Sequence, residues 1–214
     1  MNLQDIPYII YAEETPNPSS IKFVANKLLL VSGASAEYLK INEASEAPIA
    51  QKLFQFPFVK SIFISSNYIT ITKIESVIWE EIRYELRVFI TEYLNNGNVI
   101  IQKLPEQNVS KDSSFKEKIS INTQHSAPIN EVENKIIEVL EQYIRPAVEQ
   151  DGGLITFKQL KDGIVTVQMR GSCSGCPSNT MTLKAGIEAL LKRLLPNDVK
   201  EVVIYDNYAR GKIS

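Results

Sequence analysis

The sequence predicts an α+β protein built from two small domains. Stretches that alternate apolar and polar residues follow stretches of helical apolar spacing in both halves of the chain. A polar tract over residues 100–128 separates the halves. The length, 214 residues, suits one or two domains. The expected limits are 1–99 for the first domain, 100–128 for a linker and 129–214 for the second domain.

The first half opens with strand patterns over residues 7–11 and 20–31. Asn26-Lys27 is read as a tight turn that breaks the second of these into a hairpin. Thr15-Pro16-Asn17-Pro18 lies between them and is extended, because a residue before proline is pushed out of the helical region. Residues 45–54 read as a short helix capped by Ser45, with Ile49, Leu53 and Phe54 inward. Residues 59–64 and 68–73 alternate around Ser65-Ser66-Asn67 and read as a hairpin. Ser76 is the expected cap of a long amphipathic helix. Its buried face is Ile78, Ile82, Leu86, Phe89 and Tyr93, and Asn95-Asn96-Gly97 stops it. Trp79 reads as a core residue.

Gln102 to Pro128 is rich in Ser, Asn, Gln and Lys. It carries the single histidine, His125, which is expected to be a solvated linker residue with nothing to orient it.

The second half starts with Val132, Ile136, Val139, Leu140 and Tyr143 on one helical face. Pro146 should kink or end that helix. Asp151-Gly152-Gly153 is a turn that permits positive φ. Residues 154–160 and 164–169 form a hairpin around Lys161-Asp162-Gly163. A helix over 177–195 follows, with Leu183, Ile187, Leu190, Leu191 and Leu194 at helical spacing, then a strand over 199–205. The order helix, strand, strand, helix, strand packs most simply as a three-stranded sheet backed by two helices.

Composition is that of an ordinary globular chain, with 44% hydrophobic residues and a net charge of −2. No basic field for nucleic acid and no apolar run long enough for a membrane is present in it. Residues 1–14 lack the features of a secretory or transit peptide. With one tight thiol pair, this points to a cytoplasmic protein. No nucleophile–base pair, phosphate loop or carboxylate pair is evident, so the expectation is a protein that is not an enzyme.

The chemistry concentrates in Gly171-Ser172-Cys173-Ser174-Gly175-Cys176-Pro177, which holds both cysteines of the chain. The two thiols lie on a short strand-to-helix loop. Pro177 suits the first helical position. Cys176 then falls near the helix N-cap, where free amides and the helix dipole favour a thiolate. A Cys-x-x-Cys loop can chelate one metal, form a redox disulfide or lend two ligands to an iron–sulfur cluster. The glycines and serines offer little apolar surface, so both thiols are expected outside the core and dispensable for folding. Ser172, Ser174 and Ser178 read as small loop and cap residues.

The residues Asp151-Gly152-Gly153, Gly171 to Ser178 and Thr182-Leu183-Lys184-Ala185-Gly186-Ile187-Glu188 resemble the C-terminal domain of NifU, found also in Nfu proteins. Thr15-Pro16-Asn17-Pro18 and the strand after it resemble the N-terminal domain of Nfu-type scaffolds. The resemblance covers nearly the whole chain apart from the linker. It implies an iron–sulfur cluster carrier with Cys173 and Cys176 as ligands. It also implies an upstream assembly scaffold as donor and apo iron–sulfur proteins as recipients. The cysteine-rich first domain and ferredoxin-like middle of full-length NifU have no counterpart here.

One chain offers two thiolates and a 4Fe–4S cluster usually wants four. The expectation is therefore a labile 4Fe–4S cluster shared between two chains, with loading driving formation of a homodimer. Two other uses of the pair stand beside it. One is thiol–disulfide exchange, against which the second half lacks the βαβ pattern expected around thioredoxin-type motifs. The other is a zinc-bridged dimer with four thiolates.

Overall fold

The computed structural model describes residues 6–31, 33–104, 125–174 and 177–205, with backbone alone over 177–179. The chain divides into two compact units, Met1–Asn122 and Thr123–Ser214. Each is α+β. Gly175, Cys176, most of the expected linker and the side chain of Ser178 lie outside the described residues.

Among the described residues, the first unit forms a five-stranded antiparallel sheet in the order β1-β2-β5-β4-β3. Its strands are β1 (Ile10–Glu14), β2 (Ser20–Ala25), β3 (Ser35–Tyr38), β4 (Val59–Ser65) and β5 (Tyr68–Lys73). Helices α1 (Pro48–Leu53) and α2 (Trp79–Asn95) cover one face. Ile21, Phe23, Ile62, Ile64, Ile69 and Ile71 from that face meet Ile49 and Leu53 of α1 and Leu86 and Ile90 of α2 in one core. Each such buried side chain contributes roughly 1.5–3 kcal/mol.

The hairpin β4–β5 turns at Ser66-Asn67 as expected, with Ser66 at a φ of 45°. The expected hairpin at Asn26-Lys27 does not form. The amides of Leu29 and Leu30 donate instead to the Ser66 carbonyl at 2.7 and 2.9 Å, so this run packs across the β4–β5 turn. The first strand also starts later than residue 7. The Tyr8 and Ile9 amides donate to the side-chain carbonyls of Asn95 and Asn26, outside any ladder. The short edge strand β3 carries Ser, Ala and Glu, weak strand formers, and gives no alternation to read.

Neither expected serine cap is used. The N-cap of α1 is Ala47, with Pro48 in the first turn, and the N-cap of α2 is Ile78. The deepest positions of α2 are Ile82, Leu86, Ile90 and Leu94; Phe89 and Tyr93 flank them half-buried, and Ile78 is exposed. Trp79 is half-buried against the core and donates its indole N–H to the Pro18 carbonyl at 3.0 Å.

The second unit has α3 (Glu131–Val139), a π-helical turn at Leu140–Ile144, α4 (Arg145–Gln150), β6 (Gly153–Lys161), β7 (Ile164–Gly171), α5 (Pro177–Leu194) and β8 (Glu201–Tyr205). The sheet order is β6-β7-β8. Strands β6 and β7 form the expected hairpin, closed by Asp162 and Gly163, both at positive φ. Strand β8 runs parallel to β7. A β–α–β crossover through α5 therefore does surround the thiol motif, contrary to the sequence expectation. Ile136, Leu140, Phe157, Val165, Val167, Ile187, Leu191 and Val202 fill the core.

Pro146 does not end the helix. The chain widens into the π turn just before it, which accommodates the missing N–H. A π turn holds an extra residue, so it shifts the helix register. Tyr143, expected inward, is 55% exposed, while Ile144 packs on the core.

The expected linker limits also shift. Ile100 and Ile101 pack on the first core, and the Gln102 amide donates to Glu46. At the other end, His125 and Ser126 are bonded to Phe157 of β6.

Candidate functional site

The thiol loop joins β7 to α5. Gly171 ends β7 at a φ of 68°, a left-handed turn that suits glycine. The Ser174 amide and hydroxyl both return to the Gly171 carbonyl, at 3.1 and 2.8 Å. Ser172 ties the loop to the Asp151-Gly152-Gly153 turn. Its amide donates to the Gly152 carbonyl at 3.2 Å and its hydroxyl donates to the Asp151 carbonyl. The Thr180 hydroxyl of α5 donates to the Cys173 carbonyl at 3.3 Å. The serines described here thus build the turn, as expected. Ser172 in addition brings its Oγ to 3.9 Å from Cys173 Sγ.

Cys173 departs from the expectation of a thiol outside the core. It is 1% exposed and belongs to the core of the second unit. Burial pushes its thiol up to about 11. The Ser172 hydroxyl opposes that rise and the Asp151 carboxylate adds to it. At neutral pH this sulfur is a protonated thiol. That is the opposite of the low-pKa nucleophile that thiol–disulfide exchange needs. Among the described residues, no three His, Cys, Asp or Glu side chains converge on a metal position.

His125, read as a solvated linker residue, is an anchor whose side chain is screened from solvent. Its Nδ1 accepts the Phe157 N–H at 2.7 Å. Its Nε2 lies 2.5 Å from Glu141 Oε1, and Arg145 holds the same carboxylate oxygen at 2.8 Å. Beside it, the Ser126 amide donates to the Phe157 carbonyl at 3.0 Å. Glu133, also buried, accepts from the Ile129 amide at 2.6 Å and the Leu160 amide at 3.2 Å. Phe157 and Leu160 lie on the edge strand of the sheet, and these side chains satisfy amides there. The sequence signal was the pair Asn130 and Glu133 at capping-box spacing. Nothing local to His125 announces its partners 16 and 32 residues away.

Residues 10–97 match the family described as scaffold protein Nfu/NifU N terminal, and residues 136–203 match the NifU-like domain. A NifU-like protein of Schizosaccharomyces pombe is 32% identical over 91% of this chain and 71% of its own length. The NFU1 iron-sulfur cluster scaffold homolog, mitochondrial, of Drosophila willistoni is 32% identical over 92% of this chain and 64% of its own. NifU-like protein 4, mitochondrial, of Arabidopsis thaliana is 33% identical over 90% of this chain and 64% of its own. The chain thus spans somewhat under two thirds of the fly and plant relatives. Their mitochondrial names overturn the cytoplasmic expectation. With both halves matched in order and with the thiol turn between β7 and α5, this chain belongs to the Nfu family of NifU-like scaffold proteins.

Proposed function

We propose that the chain is a non-enzymatic carrier of iron–sulfur clusters in a mitochondrial setting. It takes a labile 4Fe–4S cluster from an upstream scaffold and passes it to apo-proteins. Cys173 and Cys176 of two chains supply the four thiolates, so the loaded form is a homodimer. The observation that carries this reading is Cys173 itself. It is a soft ligand on the β7–α5 turn of a domain matched to the NifU-like family. The names of the fly relatives, which are iron–sulfur cluster scaffold homologs, support the cargo.

The geometry gives the loading step two requirements. The sulfur is screened from solvent, so the loop over 172–174 opens locally before a cluster reaches it. The thiol is protonated at neutral pH, so ligation expels a proton from Cys173. Both make a bound cluster costly to hold, which suits release. The first unit carries no cysteine. Its role in this reading is to choose recipients.

A second reading, thiol–disulfide exchange, gains from the β–α–β crossover around the motif. The buried, high-pKa Cys173 weighs against it.

Anaerobic reconstitution tests the proposal, read by iron and sulfide content, visible and Mössbauer spectra, and size exclusion with light scattering. The expected result is one brown 4Fe–4S cluster per dimer. One intact cluster per monomeric chain without an added thiol would overturn the shared site. A colourless zinc-loaded dimer would overturn the cargo.

A further inference from the structure

The turn Asp151-Gly152-Gly153 holds two glycines that serve different ends. Gly152 has a φ of 78°, so its backbone explains it. Gly153 does not have a positive φ, and it begins strand β6 in register with Gly171. Any residue could adopt its backbone. What it lacks is room. A Cβ built on Gly153 would lie 2.7 Å from Cys173 Sγ and 3.2 Å from Cys173 Cβ. It would also lie 2.8 Å from the carbonyl oxygen of Arg170. The sulfur therefore occupies the volume that a side chain at 153 would fill.

The surroundings leave the sulfur little alternative at this depth. Cys173 is among the residues of the second core, with its carbonyl held by Thr180 and its neighbour Ser172 tied to Asp151 and Gly152. Its main chain is thus fixed on two sides. A methyl group at 153 would have to be relieved by the side chain of Cys173 turning away, or by separation of β6 from β7.

We propose that Gly153 is a positioning residue for Cys173: the space left by its missing side chain is the slot in which the thiol is held inside the domain. The proposal rests on the reading of Cys173 as a ligand, and it adds the residue that determines where that ligand waits. Filling the slot drives the thiol towards solvent, so the identity of residue 153 sets how well the sulfur is protected between loadings.

The test is site-resolved alkylation. The full chain, reduced and anaerobic, is treated with iodoacetamide, and mass-spectrometric fragmentation separates Cys173 from Cys176. In the parent chain Cys173 reacts far more slowly than in urea-unfolded chain, because reaction waits for local opening. Gly153→Ala speeds the labelling of Cys173 at least about tenfold. Gly186→Ala, whose added Cβ meets nothing within 4 Å, leaves it unchanged. An unaltered Cys173 rate in Gly153→Ala overturns the proposal.

A double-mutant cycle on stability covers the case in which Gly153→Ala folds poorly. The clash with the Arg170 carbonyl is present with or without the sulfur. The clash with Sγ disappears in Cys173→Ala. Gly153→Ala should therefore be milder in the Cys173→Ala background. Equal loss in both backgrounds, or failure of both to fold, assigns the effect to the strand and overturns the slot. Iron and sulfide content of the reconstituted parent chain reports on the cargo separately. A parent that takes up no iron removes the carrier reading and leaves the alkylation result standing.

Discussion

His125 Nε2 and Glu141 Oε1 are 2.5 Å apart, bridging the segment that leads into the second domain and the π turn of its first helix. The backbone N–H of Phe157 can only donate, so Nδ1 is the acceptor. The ring proton is then on Nε2, aimed at Glu141. Arg145 holds that carboxylate in place from one helical turn away.

Removing the ring leaves the Phe157 N–H without a partner and the Glu141 carboxylate with Arg145 alone. His125→Ala should cost the second domain about 1–3 kcal/mol. His125→Asn, whose side-chain oxygen can stand near Nδ1, should recover part of it. Amide exchange of Phe157 by NMR reads this directly. Unchanged protection in His125→Ala would show the contact to be idle.

Domain limits follow from the same contacts. A fragment of residues 123–214 should be more stable than one of residues 129–214, because the shorter piece lacks His125 and Ser126 and bares the β6 edge. Urea melts of the two fragments compare them. Equal midpoints would show that the domain is complete from residue 129.

Glu133→Ala should weaken the same edge. The carboxylate is buried and accepts two amides, from Ile129 and Leu160. Its loss should cost about 1–3 kcal/mol, seen as faster exchange at Leu160. Exchange at Leu160 as slow as in the parent chain would contradict this.

Cys173→Ser should lower stability as well as iron uptake. The substitution places a hydroxyl in the core, and an unmatched one costs about 1–3 kcal/mol. The sequence alone pointed to an indifferent fold. Chemical denaturation of the full chain, followed through the β6 and β7 amides, decides between the two. A Cys173→Ser chain as stable as its parent would return the cysteine to the surface.

The thiol also sets a pH dependence. Its pKa in the folded chain, about 11, lies above the ordinary thiol value. The folded state therefore favours the protonated form. The stability this confers is complete below the ordinary value and is lost as pH rises towards 11. The loss is on the order of 2 kcal/mol and should be absent in Cys173→Ala. Parallel stability curves for the two chains between pH 8 and about 11 would contradict it.

Most of the architecture was legible because it is periodic. The alternation in β4 to β7 and the helical spacing in α2, α3 and α5 read correctly from residue types. What was missed depends on distant partners. Tyr143 was placed inward because a regular helix puts it there, and only a π turn moves Ile144 into its place. Leu28 to Leu30 has the composition of a strand but is claimed by the Ser66 carbonyl. At the site, Cys173 was legible as one of a reactive thiol pair from its spacing to Cys176. Its depth was not, because glycines and serines around a thiol do not reveal that β6 lies against it. His125 sits in a polar tract whose local composition describes solvent, while its partners belong to a helix and a strand further along.

The parallel pairing of β7 with β8 orders the assembly of the thiol loop in time. The β6–β7 hairpin closes over two residues, so little chain entropy opposes it and it forms early. Strand β8 joins β7 by way of α5, a longer loop to close, and comes later. Val199 and Val202, which share the core with Cys173, arrive with that last segment. During synthesis from the N-terminus, Cys173 therefore leaves the ribosome before the strand that completes its enclosure. For that interval Cys173 is an unguarded thiol, open to oxidants and to any soft metal nearby.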